Sequence, residues 1–343
     1  MRVTPNPTAG RSSVLADHTT IRLGGPATTF VWADTAAELI DCVTRADDDG
    51  TPVLVLGGGS NLVVADAGFD GVVARVAHTG IRVDRDGGKV VMHVEAGETW
   101  DDVVLASLAH GLAGIECLSG IPGLSGATPI QNVGAYGAEI SHVVTAVRAF
   151  DRTERTEVML SAADCGFGYR RSALKGGHYL VVGVDLALAE TTMSAPIRYA
   201  ELAAALGVKL NERAPAGDVR AAVLGLRAAK GMLIDATDPD SVSVGSFFTN
   251  PVLAAPPVGA PHWPTADGRM KTSAAWLIEQ SGFARGYGDG RVGLSRKHTL
   301  ALVNRGGATT AELIAFAAHI KNGVRERFGV QLEVEPALIG VDL

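Results

Sequence analysis

Residues 114–140, GIECLSGIPGLSGATPIQNVGAYGAEI, constrain this chain more than any other stretch. They hold six glycines, with Gly111 just upstream, and only two charged residues, Glu116 and Glu139. Glycine loses more backbone freedom on ordering than any other residue. Such a density is costly unless the backbone must take left-handed angles or approach a ligand closely. With few carboxylates to compete, the N–H groups of successive tight turns make a concave anion site, and a dinucleotide pyrophosphate is the fitting guest. A purely structural loop of several turns is the plainer alternative, but a surface loop ordinarily carries more charge.

A second stretch of the same kind lies at 52–65, PVLVLGGGSNLVVA, where an apolar run ends in Gly57, Gly58, Gly59, Ser60 and Asn61. The dinucleotide fingerprint of a βαβ unit fails here. Its third glycine would fall on Leu62, and LVVAD followed by GVVARV is strand-like where a helix must open. No P-loop pattern ending in Gly-Lys-Ser/Thr occurs either. The expectation is a phosphate-cradling turn between strands.

Local signals mark the other elements. Thr35 with Glu38, and Thr309 with Glu312, are capping boxes opening helices that Gly50 and Gly329 end. Thr99 and Ser273 read as N-caps of two further helices, and 218–230 as a helix with Val219, Ala222, Val223 and Leu226 on one face. Strands are expected at 90–95, 142–150, 179–189, 298–304, 330–335 and 337–343, with a polar turn at 163–173. The five prolines between 251 and 264 mark a surface loop.

At 343 residues, 47% hydrophobic and 20% charged, the chain has room for two or three domains. A net charge of −7 with no basic stripe argues against nucleic acid as a partner. The opening MRVTPNPTAGRSSVLADH has no apolar run of signal-peptide type, and no later run reaches membrane length. Cys42, Cys117 and Cys165 lack metal or redox spacing and read as buried thiols of a cytosolic protein.

LGGGSNL, SGIPGLSGATPIQNVGAYG, FGYRRS, GSFFTNP and WLIEQSG, in this order between about residues 20 and 340, resemble the UDP-N-acetylenolpyruvoylglucosamine reductases. The first two motifs are shared in looser form with other flavin oxidases, whereas GSFFTNP is far more specific. The resemblance implies an α+β protein. A two-subdomain FAD-binding fold of the vanillyl-alcohol-oxidase type is expected at 15–190, a substrate-binding α+β domain at 200–325, and terminal strands at 330–343 returning to the FAD part. It implies FAD as cofactor and NADPH as co-substrate, with reduction of the enolpyruvyl ether of UDP-N-acetylglucosamine to UDP-N-acetylmuramate in peptidoglycan synthesis. The enzyme is expected to be a cytoplasmic monomer acting on small molecules, with no nucleic-acid partner and no membrane insertion.

By the same resemblance Leu56, Gly57, Gly58, Gly59, Ser60, Asn61, Gly120, Ile121, Pro122, Gly123, Gly126, Ala127, Gln131, Asn132 and Gly134 hold FAD, the glycines by their N–H groups. Ser246 protonates the carbon intermediate, Arg170 orients the substrate carboxylate and steadies the enolate, and Glu335 takes the catalytic glutamate position. Tyr136, Tyr199, Lys230, Asn250 and Gln280 meet the substrate, Lys230 at phosphate and Tyr199 on a mobile loop. Taken as bare residues, GSFF is a strand start with a packed Phe pair, Arg171 is a surface charge, and Glu333 competes with Glu335 if the register slips by two. Where the family often has an arginine two residues after the glutamate, this chain has Ala337. A flavin oxidase using oxygen and a non-catalytic nucleotide-binding protein are the alternatives.

Overall fold

The structure, a computed structural model, describes residues 12–265 and 267–343. The first layer is a parallel three-stranded sheet in which Phe69–Val76 lies between Ala27–Ala33 and Val53–Leu56. Helix Ala36–Asp48 covers one face, burying Leu39 and Val43 against Ala33, Ala74 and Val76. Both halves of the Thr35/Glu38 capping box are formed.

The second sheet is antiparallel throughout, in the order Thr156–Ser161, Val144–Asp151, Tyr179–Ala187, Lys89–Glu95, Ile81–Asp86. Helix Trp100–Ala109 lays Trp100, Val103 and Val104 into the core built by Met92, Val94, Val147, Val184 and Leu186. Thr99 does not cap this helix with its side chain. The entry is set by the glycine loop instead, whose Gly123 carbonyl accepts the Trp100 N–H at 3.0 Å.

The last unit is an antiparallel sheet of Ser243–Ser246, Ala301–Asn304 and Val292–Leu294, packed on helices Ala274–Gln280 and Thr310–Phe328. The long helix opens on the Thr309/Glu312 box and ends at Gly329, φ 68°. Ile21, Leu23 and Val63 join this core, so the amino-terminal segment and strand Leu62–Val64, whose Leu62 and Val64 pack with Ala27, Leu56 and Val73, link it to the first sheet.

The structure corrects four expectations. Residues 330–335 form no strand, since only Val334 bridges Phe248, although Val330 and Leu332 do face the core. Within the proline-rich 251–264, Val252–Leu253 and His262–Pro264 flank Met270–Thr272 in a small sheet. Strand Thr156–Ser161 was not anticipated, because as an exposed edge it lacks an apolar face. Helices Ala200–Leu206 and Ala216–Ala229 pack with Cys117 and Tyr136 rather than on the last core. Ala337–Ile339 pairs in parallel with Leu62–Val64. Among the described residues, no helix is long and apolar enough to cross a membrane.

Candidate functional site

A cavity of about 380 Å³ opens where the three units meet. One wall is made by the two glycine loops, including Ser60, Asn61, Ile121, Pro122 and Ala127. These loops touch backbone to backbone. A Cβ at Gly58 would lie 2.5 Å from Gly123 Cα, and one at Gly59, φ +62°, would lie 1.9 Å from the His18 carbonyl oxygen. Ser60 Oγ donates to the Pro122 carbonyl at 3.0 Å, closing the seam. Glycine at 58 and 123 is therefore demanded by packing of the loops against each other, and at 59 by the amino-terminal segment at His18. Gly57 differs, since a Cβ there would meet only Ala127 Cβ at 3.9 Å.

Among the described residues, the N–H groups of Gly58, Gly59, Ser60, Ile121 and Gly123 donate to no protein acceptor. Such a cluster of unspent donors between apposed turns fits a phosphate-bearing cofactor. Other residues expected in the cradle are already engaged. Gly120 N–H donates to Asp101 Oδ1 at 2.6 Å, and Asp101 is held in turn by two Arg220 bonds of 2.6 Å each. Gly126 N–H goes to the Ala96 carbonyl and Ala127 N–H to that of Leu124. Leu56 belongs to an apolar core with Leu62 and Val73. Asn132 is a structural clip: its amide nitrogen donates to Glu139 Oε2 and the Gly168 carbonyl, and its oxygen accepts from Ser141 N–H. Gln131 lines the cavity with a buried, unpartnered Oε1.

The opposite wall brings together residues far apart in sequence. Arg170 Nε donates to Glu335 Oε1 at 2.6 Å, and its Nη2 to the Gly134 carbonyl at 3.3 Å. The backbone of Glu335 is fixed from both sides: its N–H donates to the Phe247 carbonyl at 2.9 Å, while its carbonyl accepts from Asn61 Nδ2 at 3.3 Å. Ser246 ends its strand opposite Ala301, with Gly245 before it at φ +74° and the fully buried Phe247 and Phe248 after it. Anchoring by the Phe pair leaves Ser246 lining the cavity. Burial raises the Glu335 carboxyl above the usual range, with the Arg170 charge acting against it. Glu333 is exposed and offers only its carbonyl, to Thr249 N–H, so it is Glu335 that reaches the cavity. Arg171 and Ala337 are exposed.

At the far end Tyr136 and Tyr199 meet edge to face, their ring centres 5.5 Å apart. Lys230 Nζ lies 5.7 Å from the centre of the Tyr136 ring and pairs with Glu201 Oε2 at 2.6 Å. Burial pushes the Tyr136 phenol up to about 12. Asn132, Tyr136 and Arg170 all hold positive φ, at 43°, 50° and 52°. Left-handed backbone is uncommon for side-chain-bearing residues and collects at sites over-determined by their surroundings.

Asn250 and Gln280 do not line the cavity. Asn250 Oδ1 accepts the Ala274 N–H at 2.9 Å, at the start of helix Ala274–Gln280, and Gln280 is exposed at the other end. Two ionisable lining residues, Arg227 and His298, escaped the sequence reading. Arg227, buried, donates to the carbonyls of Gly120 and Met232 at 3.1 and 2.9 Å. Its signal was available, since it falls four residues after Val223 on the apolar face of its helix. His298, a lone histidine before a strand, gave none. Burial first, and then the Lys230 charge, lower it to about 4, so it stands neutral in the cavity at physiological pH.

Comparison with known proteins bears on both walls. A family model described as an FAD binding domain matches residues 27–159, and one described as the UDP-N-acetylenolpyruvoylglucosamine reductase C-terminal domain matches residues 238–339. The curated UDP-N-acetylenolpyruvoylglucosamine reductase of Thermobifida fusca is 51% identical, over 97% of this chain and 98% of its own. That of Streptomyces avermitilis is 50% identical, over 96% and 94%. The crystal structure of the Thermus caldophilus enzyme superposes with a TM-score of 0.66 at 26% identity, covering 95% of this chain and 97% of the other.

Proposed function

The chain belongs to the UDP-N-acetylenolpyruvoylglucosamine reductase family, and from that premise we propose how its cavity carries out the family's reaction. The protein is an FAD-dependent oxidoreductase that reduces enolpyruvyl-UDP-N-acetylglucosamine to UDP-N-acetylmuramate with NADPH, in peptidoglycan precursor synthesis. Bound FAD supplies the hydride transfer that links NADPH to C3 of the enolpyruvyl ether. The loops at 57–61 and 121–123 hold its phosphates with their spare N–H groups.

Hydride arrival at C3 leaves an enolate-like charge beside the substrate carboxylate. Arg170 faces that charge and orients the carboxylate. Glu335 holds the Arg170 guanidinium by the 2.6 Å bond, its pKa raised by burial with the Arg170 charge acting against that rise. Ser246 gives its hydroxyl proton to C2. Lys230 receives the diphosphate of the sugar nucleotide, and the Tyr136–Tyr199 pair closes over it.

The observation that carries the reading is the joining of Arg170, Glu335 and the Ser246–Phe247 backbone by two short hydrogen bonds at one end of the cavity. The visible spectrum tests it: NADPH should bleach the flavin bands anaerobically, and enolpyruvyl-UDP-N-acetylglucosamine should restore them. Restoration by oxygen alone would make the protein an oxidase. A cytoplasmic location suits three free cysteines.

A further inference from the structure

Arg75 lies near the carboxyl end of the central parallel strand Phe69–Val76, level with Trp32 on one neighbour and Leu56 on the other. The next residues after Leu56 are the GGGSN loop. Ligands of open sheets with parallel strands gather at that end. Arg75 Nε and Nη1 are buried without a hydrogen-bond partner, and no carboxylate is paired with the guanidinium among the described residues. Among the described residues, the guanidinium lies 5.9 Å from the Trp32 ring. The contrast with Arg227 is informative, because that buried guanidinium spends its nitrogens on two carbonyls. Leaving a buried charge-bearing donor unpartnered costs free energy that a bound anion would remove.

A second cavity of about 270 Å³ adjoins the guanidinium, lined by His18, Thr19, Thr20, Gly58, Arg75 and Ile234 among others. It shares Thr20, Ile234 and Ser241 with the main cavity, so the two are adjacent. Gly58 brings its unspent N–H to the same place. The acidic residue lining this space, Asp17, is exposed and makes no ion pair with Arg75. Burial also lowers the Arg75 pKa, the direction expected of a cation lacking its counter-charge.

We propose that Arg75 binds the diphosphate of FAD, approaching it beside Gly58. This rests on the reading that FAD lies along the two glycine loops. A guanidinium is suited to the task because its planar donors can engage phosphate oxygens two at a time.

The test uses the full chain stripped of flavin and titrated with FAD and with riboflavin, which has no phosphate, while flavin fluorescence is followed. Arg75→Met keeps the apolar stem and removes the charge. Its FAD dissociation constant is expected to rise about 10- to 100-fold, the range of a charge-assisted hydrogen bond. Riboflavin binding should change little. Arg75→Lys, the milder change, should recover part of the FAD affinity and folds if the methionine variant does not. Equal FAD affinity in the variants would overturn the proposal, as would an equal loss for FAD and riboflavin. Unchanged FAD affinity with a raised KM for NADPH would assign the guanidinium to the reductant and also overturn it. Wild-type protein that bound no FAD would instead remove the underlying reading, and the role of Arg75 with it.

Discussion

The two walls of the cavity are built on opposite principles. The glycine wall is assembled from two short loops in which the side chain is missing and the backbone presents the donors. The reactive wall is assembled from single side chains at 170, 246 and 335, drawn together by the fold. In the first, a substitution acts by adding atoms where backbones touch. In the second, it acts by deleting a charge or a proton. The two kinds of damage should separate in measurement, because one concerns whether the cofactor is present and the other what happens after hydride transfer.

Loss of the Arg170 charge should have a large effect on the reactive wall. Arg170→Met is expected to slow flavin reoxidation by the enolpyruvyl substrate about 10²–10³-fold, as when one oxyanion donor is removed. Reduction by NADPH should stay near normal, and rapid-mixing absorbance of each half-reaction would show the split. The same variant should shift the pH profile. Arg170 lowers the Glu335 pKa against the raising effect of burial, so its removal moves the limb set by Glu335 to higher pH.

Next is the glycine wall. Gly58→Val and Gly123→Val would strike the facing loop, since a Cβ at 58 comes within 2.5 Å of Gly123 Cα and one at 123 within 2.8 Å of Ser60 Oγ. They test loop packing rather than the cradle. Gly57→Val is the cleaner change, with room for its Cβ in the protein alone. The expected result is a folded protein with a reduced flavin-to-protein ratio by absorbance. Stoichiometric flavin would show that the cradle lies elsewhere.

Smaller still are the effects at the nucleotide end. Lys230→Ala should raise the KM for the enolpyruvyl sugar nucleotide about tenfold, with the maximal rate of flavin reduction by NADPH unchanged. Because Glu201 holds Lys230 at 2.6 Å, Glu201→Gln should lower that KM by a factor of about two to five, the scale of a partly exposed ion pair. A raised KM in the Glu201 variant would mean that the pair positions Lys230 rather than competing with phosphate.

What could be read in advance follows the same division. Both capping boxes, at Thr35 and Thr309, were legible because their signals sit within four residues of one another. The glycine loops were legible as loops, but not the reason for each glycine. At 58 and 59 the requirement comes from a distant backbone, and at 120 and 126 the N–H groups serve the scaffold. Asn132 sits within the right motif yet is consumed by Glu139, Gly168 and Ser141, partners that only the fold supplies. Arg75 and His298 were invisible for a related reason, since a lone basic residue in sequence is ordinarily a solvated one. Arg170, Ser246 and Glu335 were found through resemblance. Nothing in their local patterns would have joined them.

The division of labour between the walls is tested most directly at Ser246, whose proposed role begins only after hydride has reached C3. In anaerobic stopped-flow measurements of Ser246→Ala, with wild type alongside, NADPH should reduce the flavin at a near-normal rate. Reoxidation by enolpyruvyl-UDP-N-acetylglucosamine should slow about 10²–10⁴-fold, the usual contribution of a proton-transferring group. Equal slowing of both half-reactions would contradict the account, because Ser246 would then be positioning the flavin rather than supplying a proton.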